Sequence, residues 1–178
     1  MIINGADLLH DAPISGMHSK KMRANGLTYG LSEAGYDIRI AQTIHFTPRR
    51  WWQFWKPEMT VQVEEFDELG FLEKVTVSHG RFALASTMEQ FHLPKNLVGL
   101  VMDKSSWARQ AVSFFNTVIE PGWGGYLTLE IVYHGNKKLT IERGTGVSQV
   151  VFFETSQDAQ YEGRYQDQEN RPVEAKRI

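Results

Sequence analysis

Glu130 closes the run Ile119-Glu120-Pro121-Gly122-Trp123-Gly124-Gly125-Tyr126-Leu127-Thr128-Leu129-Glu130, in which a proline and three glycines lead into an alternating strand. Glycines in such a turn let the backbone approach a ligand closely. Tyr126, Thr128 and Glu130 then share the less apolar face, opposite Leu127, Leu129 and Ile131. A carboxylate placed there could take a proton from a bound molecule and return it; a solvated strand glutamate is the alternative.

Three further segments carry chemistry. Asp103-Lys104-Ser105-Ser106-Trp107-Ala108-Arg109 follows an apolar strand and gathers two cations and two hydroxyls within about one helical turn. Exposed N–H groups at a helix start, with hydroxyls and a lysine, suit a phosphate chain, although an ordinary N-cap at Ser105 or Ser106 needs the same residues. Gln149, within Gly144-Thr145-Gly146-Val147-Ser148-Gln149-Val150-Val151-Phe152, could read a base edge or pair with a neighbouring strand. The tail Tyr161-Glu162-Gly163-Arg164-Tyr165-Gln166-Asp167-Gln168 offers phenols, amides and a cation suited to polyphosphate oxygens, or it is a solvated arm.

Many short strands must position these groups. YDIRI, MTVQVEEF, KVTVS, RFALAST, LVGLVM, YLTLEIVYH, KLTIE and VSQVVFFE have alternating or continuous apolar character, and Gly, Pro and Asn punctuate the gaps. This spacing predicts a mainly β sandwich or barrel. Helices are expected only at Gly5 to His10 and Ser105 to Gln110. After Thr155 the chain turns polar and reads as a flexible arm, residues 156–178. RRWWQFWKPEM sets four aromatic residues beside three cations: a hairpin tip or subunit contact, or else a platform for nucleobases.

The bulk numbers narrow the field. With 178 residues, 42% of them hydrophobic, one domain spanning 1–178 is expected. Nineteen basic against twenty-one acidic residues give a net charge of −2, so a nucleic-acid polymer is not an expected partner. No long apolar window and no basic-then-apolar start appears, which points to a cytoplasmic protein without a membrane partner. Cysteine is absent, which removes thiol nucleophiles and thiolate metal sites.

In order and content the segments resemble the dCTP deaminase family over most of the chain. SEAGYDIRI, with Asp37 at its centre, is similar to the family's Ser/Tyr-Asp-Leu-Arg-Leu strand. RFALASTMEQFHLPKNLVGLVMDKSSWAR is similar to its run ending in Ser-Ser-x-Ala-Arg, IEPGWGGYLTLE to its Asp-Pro-Gly-Trp segment, and YEGRYQDQ to its tail. The resemblance implies a distorted barrel or jelly-roll-like dUTPase-like (β-clip) fold. It also implies a homotrimer with active sites at subunit interfaces and hydrolysis of dCTP to dUTP and ammonia, supplying dUTP for dUMP and dTTP synthesis.

It further implies that Glu130 is the proton shuttle, assisted by Ser105 and by a backbone carbonyl near Asn116, with Arg109 as electrostatic partner. Lys104, Ser106, Trp107, Ala108, Glu120, Thr128, Leu129 and Gln149 would contact substrate. Tyr161, Arg164 and Gln168 would clamp the triphosphate as the arm closes. Glu120 stands where many relatives carry Asp, and Arg164 where they carry Lys. Many base deaminases activate water with zinc held by His and Cys. Here Cys is missing, and His10, His18, His45, His79, His92 and His134 form no pair at helical ligand spacing, so no zinc is expected. Magnesium is expected on the substrate triphosphate, with dTTP or dUTP as further ligands. The competing functions are a dUTPase, a bifunctional enzyme running from dCTP to dUMP, and a nucleotide-binding trimer without turnover. The tail lacks the Gly-rich arm, Arg-Gly-x-Gly-Gly-Phe-Gly, of most dUTPases.

Overall fold

Alternating apolar segments pair into three antiparallel sheets. In this computed structural model, residues 1–115 and 117–176 are described; Asn116 lies outside them, as do the last two residues of the arm. The strands are β1 (Ile2–Ile3), β2 (Lys21–Ala24), β3 (Leu27–Leu31), β4 (Tyr36–Arg39), β5 (Thr43–Pro48), β6 (Met59–Phe66) and β7 (Leu72–His79). They continue as β8 (Phe82–His92), β9 (Leu97–Asp103), β10 (Val112–Phe114), β11 (Val118–Ile119), β12 (Gly124–Tyr133), β13 (Leu139–Ile141) and β14 (Gly146–Glu154). The helices are α1 (Gly5–Asp11) and α2 (Ser105–Ala108). The mainly β expectation holds, and all eight expected strands form.

One sheet runs β11-β9-β14-β4-β3-β2, with β1 added beside β14; a second runs β10-β12-β8; a third runs β13-β5-β6-β7. The inward residues of all three meet in one core that includes Tyr36, Ile38, Phe46, Phe91, Leu97 and Phe152, each fully buried. Removing such side chains from water is what holds the sheets face to face.

The β8–β12 pair departs from regular register where it matters. Tyr126 faces Gln90 and Thr128 faces Ser86, so three residues of β8, Thr87 to Glu89, stand opposite Leu127 alone. Thr87 closes this bulge: its hydroxyl donates to the Glu89 carbonyl at 2.8 Å and accepts the Leu127 N–H at 3.0 Å. The bulge turns Glu89 into the interior, where its carboxylate meets the Arg39 side chain and backbone N–H at 2.7 and 2.8 Å. Bulges of this kind re-aim side chains beside sites.

The arm is not free along its described length. Its polar residues form no strand, yet Asp167 N–H donates to Gly124 O and Tyr126 N–H to Gln168 O, both at 3.0 Å. The Trp123 indole donates to Tyr165 O at 2.7 Å, and Tyr161 N–H to Pro121 O at 2.8 Å. Hydrogen bonds, many of them to the tail's own backbone, lay residues 161–168 along the start of β12 with Tyr161 packed against the core, although their polar composition reads as loose.

Candidate active site

A cavity of about 530 Å³ opens beside β12. Thr128 and Glu130 line it from one face of the strand, as the period-two alternation requires, and the bulge brings Leu127 into the wall as well. Glu120 and Trp123 enter from the preceding turn, Phe82 and Leu84 from β8, and Tyr161, Tyr165, Gln168, Val173 and Ala175 from the tail.

Gly125 makes this closure possible. Its φ is +127°, and a β-carbon there would stand 2.5 Å from the Gln168 nitrogen, so only glycine lets strand and tail meet. On the next turn of the strand the Thr128 hydroxyl donates to Gln168 Oε1 at 3.1 Å and accepts the Val173 N–H at 3.3 Å.

Glu130 is half-buried among these walls, and burial pushes its carboxyl above the ordinary carboxylate range. Among the described residues no cation offsets that effect and no side chain hydrogen-bonds the carboxylate; only its own backbone pulls the other way. A carboxyl held up in this way exchanges protons nearer to neutrality than a solvated one.

The lining brings together Glu120, Thr128, Glu130, Tyr161 and Gln168, five of the expected site residues. Leu129 points the other way, into the core, leaving only its backbone on offer. The α2 segment is elsewhere. Ser105, Ala108 and Arg109 are exposed, Ser106 is half-buried, and none lines the cavity. Trp107 is buried, its indole donating to Gly146 O at 3.0 Å, so it anchors the segment. The Lys104 ammonium is bound by the Asp37 carboxylate and by the Thr28 carbonyl and hydroxyl at 2.7 and 2.9 Å, which satisfies all three of its donors within the chain. Gln149 Nε2 donates to the hydroxyl of Ser32, in the turn between β3 and β4, at 2.6 Å. Arg164 donates to Lys176 O at 2.7 Å, outside the cavity.

Sequence reasoning missed Phe82, Leu84, Val173 and Ala175. The two β8 residues sat in a segment read only as a strand, and the two tail residues sat in a stretch whose polarity hid them. No group of three or more His, Cys, Asp or Glu side chains that could hold a metal forms among the described residues.

Fold and site together define a mainly β protein with a half-apolar cavity in which a carboxyl of raised pKa stands beside amide, hydroxyl and phenol groups. Residues 9–155 match the family described as dCTP deaminase-like. The chain is 33% identical over 146 residues to the dCTP deaminase of Psychrobacter cryohalolentis, covering 79% of this chain and 73% of that one. It is 34% identical over 163 residues to that of Albidiferax ferrireducens, covering 82% and 80%. Among solved structures it is similar to a native EIAV dUTPase, at a TM-score of 0.47 and 14% identity over 85% of this chain and 90% of that one. A Staphylococcus bacteriophage 80alpha dUTPase with dUpNHpp gives 0.48 and 15% over 84% and 83%. The chain belongs to the dCTP deaminase-like family, as its sequence motifs indicate; the family match ends at residue 155, so the docked tail lies beyond it.

Proposed function

We propose that this chain deaminates dCTP hydrolytically, giving dUTP and ammonia, with Glu130 as the proton shuttle and without zinc. The observation that carries the proposal is the Glu130 carboxyl itself, held above its ordinary range in a cavity and committed to no other side chain. Water adds to C4 of cytosine while Glu130 takes its proton and delivers it to N3. Glu130 then moves the remaining hydroxyl proton to the amino group, the C4–N bond breaks, and ammonia leaves as the C4 carbonyl forms. General acid–base help of this kind is worth about 10²–10⁴-fold. Positioning and electrostatics supply the rest.

The cavity of one chain does not suffice for a nucleotide. It is lined by two carboxylates and no lysine or arginine, whereas a triphosphate demands cations. In a homotrimer whose sites lie between subunits, the exposed Arg109 of a neighbouring copy would supply a cation beside Glu130 and the base, with the Ser105 hydroxyl assisting the proton shuttle. Thr128 and Leu129 would offer backbone groups to the base, and Tyr161 and Gln168 would hold the arm over the phosphates. Magnesium would arrive on the substrate and serve its phosphates. The protein would act in the cytoplasm on the free nucleotide; no helix of the described residues is long and apolar enough to cross a membrane.

Incubating the protein with dCTP, resolving dUTP from dUMP and measuring ammonia and pyrophosphate, tests the reading. Ammonia with dUTP supports it. Pyrophosphate and dUMP in equal yield would make the enzyme bifunctional, and tight dCTP binding without ammonia would make it a binding protein.

A further inference from the structure

The hairpin joining β5 to β6 ends in Arg49-Arg50-Trp51-Trp52-Gln53-Phe54-Trp55-Lys56-Pro57, a tip that lines no part of the cavity. Trp51, Trp52, Phe54 and Trp55 are 86, 47, 76 and 67% exposed. Aromatic residues of this size normally fold back onto a core, because each has about 150–250 Å² to bury. Here the backbone is braced so that they do not. Arg49 Nη1 donates to the carbonyls of Phe54 and Lys56 at 2.8 and 2.9 Å, and Arg49 N–H donates to Glu58 O at 3.0 Å. The turns at Gln53 and Lys56 close with bonds of 2.8 Å.

Three features define what the tip fits. Arg49 is spent on bracing the tip, which leaves Arg50, beside the Trp52 ring, and Lys56 to face outward with no carboxylate between Arg49 and Pro57, a balance that favours an anionic ligand. The indole N–H groups of Trp51, Trp52 and Trp55 have no acceptor among the described residues; the two indoles that do are those of Trp107 and Trp123. The ring pairs Trp51–Trp52 and Phe54–Trp55 cross at 89° and 82°, so neither pair can sandwich a base between two parallel rings. A convex tip of amphipathic rings and cations matches the boundary of an anionic bilayer. There the rings reach acyl chains, the N–H groups meet ester carbonyls, and the cations meet phosphates.

We propose that the tip docks the protein onto the surface of an anionic phospholipid bilayer. This is a surface contact, not an insertion, and it modifies the sequence expectation of no membrane partner. With only two outward cations and four rings, binding is reversible and weakens with salt.

The test is co-sedimentation of the full chain with vesicles of phosphatidylcholine alone or doped with phosphatidylglycerol, while tryptophan emission is followed. Binding confined to the doped vesicles, with a blue shift, is expected. Trp51→Ala combined with Trp55→Ala should abolish both at an unchanged melting temperature. Arg50→Ala and Lys56→Ala should each weaken binding about fivefold. The proposal is overturned by equal sedimentation of the tip variant and the parent, or by no binding to doped vesicles. A blue shift produced by a single-stranded oligonucleotide or an acidic protein, but not by vesicles, overturns it too.

Discussion

The Thr128 hydroxyl donates to the Gln168 side-chain oxygen across 3.1 Å, and this bond joins the strand that carries Glu130 to the tail that roofs its cavity. The same hydroxyl accepts the Val173 N–H, so one side chain on β12 holds the tail at two points. Strand and tail therefore form one structural unit around the carboxyl.

Substituting Gly125 should break that unit. A β-carbon at φ +127° would be strained and would press on the Gln168 backbone. Gly125→Ala should cost about 1–3 kcal/mol and release the tail. In hydrogen exchange, the Tyr126 amide, which donates to Gln168 O, should lose protection while amides of the β9–β14 pair keep theirs. Unchanged protection at Tyr126 would show that the tail does not depend on this glycine.

Arg39 and Glu89 should dominate stability beneath the bulge. Burial pushes the Glu89 carboxyl up, and the Arg39 guanidinium and backbone N–H beside it pull it down. Arg39→Ala leaves that carboxylate buried without its cation and should cost about 3 kcal/mol near neutral pH. A carboxyl whose folded pKa lies above its unfolded value is favourable below the unfolded value, and that advantage is lost as pH rises through the folded one. The deficit of Arg39→Ala should therefore shrink as pH falls toward 4.5, the ordinary value for this group. Denaturant midpoints across pH measure this; a pH-independent deficit would contradict it.

Glu130 and Arg109 should act from different chains. Glu130→Gln and Arg109→Ala should each lower turnover by about 10²–10⁴-fold, yet mixed trimers made by co-expression should regain activity, because some interfaces then hold both native residues. The regained rate should follow the fraction of mixed assemblies. Verified mixed trimers without recovery would place both residues in one chain's site or remove Arg109 from it.

Much of this arrangement was legible in the sequence, and the exceptions have physical causes. Strict alternation marked β6 and β12, and it put Thr128 and Glu130 on one face. Strands β2 and β3 escaped notice because KMRA and LTYGL are short and mix charge or glycine with apolar residues. β5 escaped because TIHFTP ends in proline, although it sits between β13 and β6. The tail's place was hidden because many of the bonds that dock it use its own backbone, at Tyr161, Tyr165, Asp167, Gln168 and Val173, and backbone groups leave no compositional trace. The motif joining Lys104 to Arg109 was plain, but its residues line no part of this chain's cavity. Lys104, committed to Asp37 and Thr28, shows that one member of a motif can be spent on holding the fold.

The most direct measurement is ammonia release from dCTP by the parent protein and by Glu130→Gln, followed across pH. The account predicts ammonia and dUTP from the parent, with a rate that rises as a carboxyl of raised pKa ionises, and loss of turnover in Glu130→Gln with the nucleotide still bound. Equal ammonia from both proteins, or none from a folded parent that binds dCTP, would contradict it.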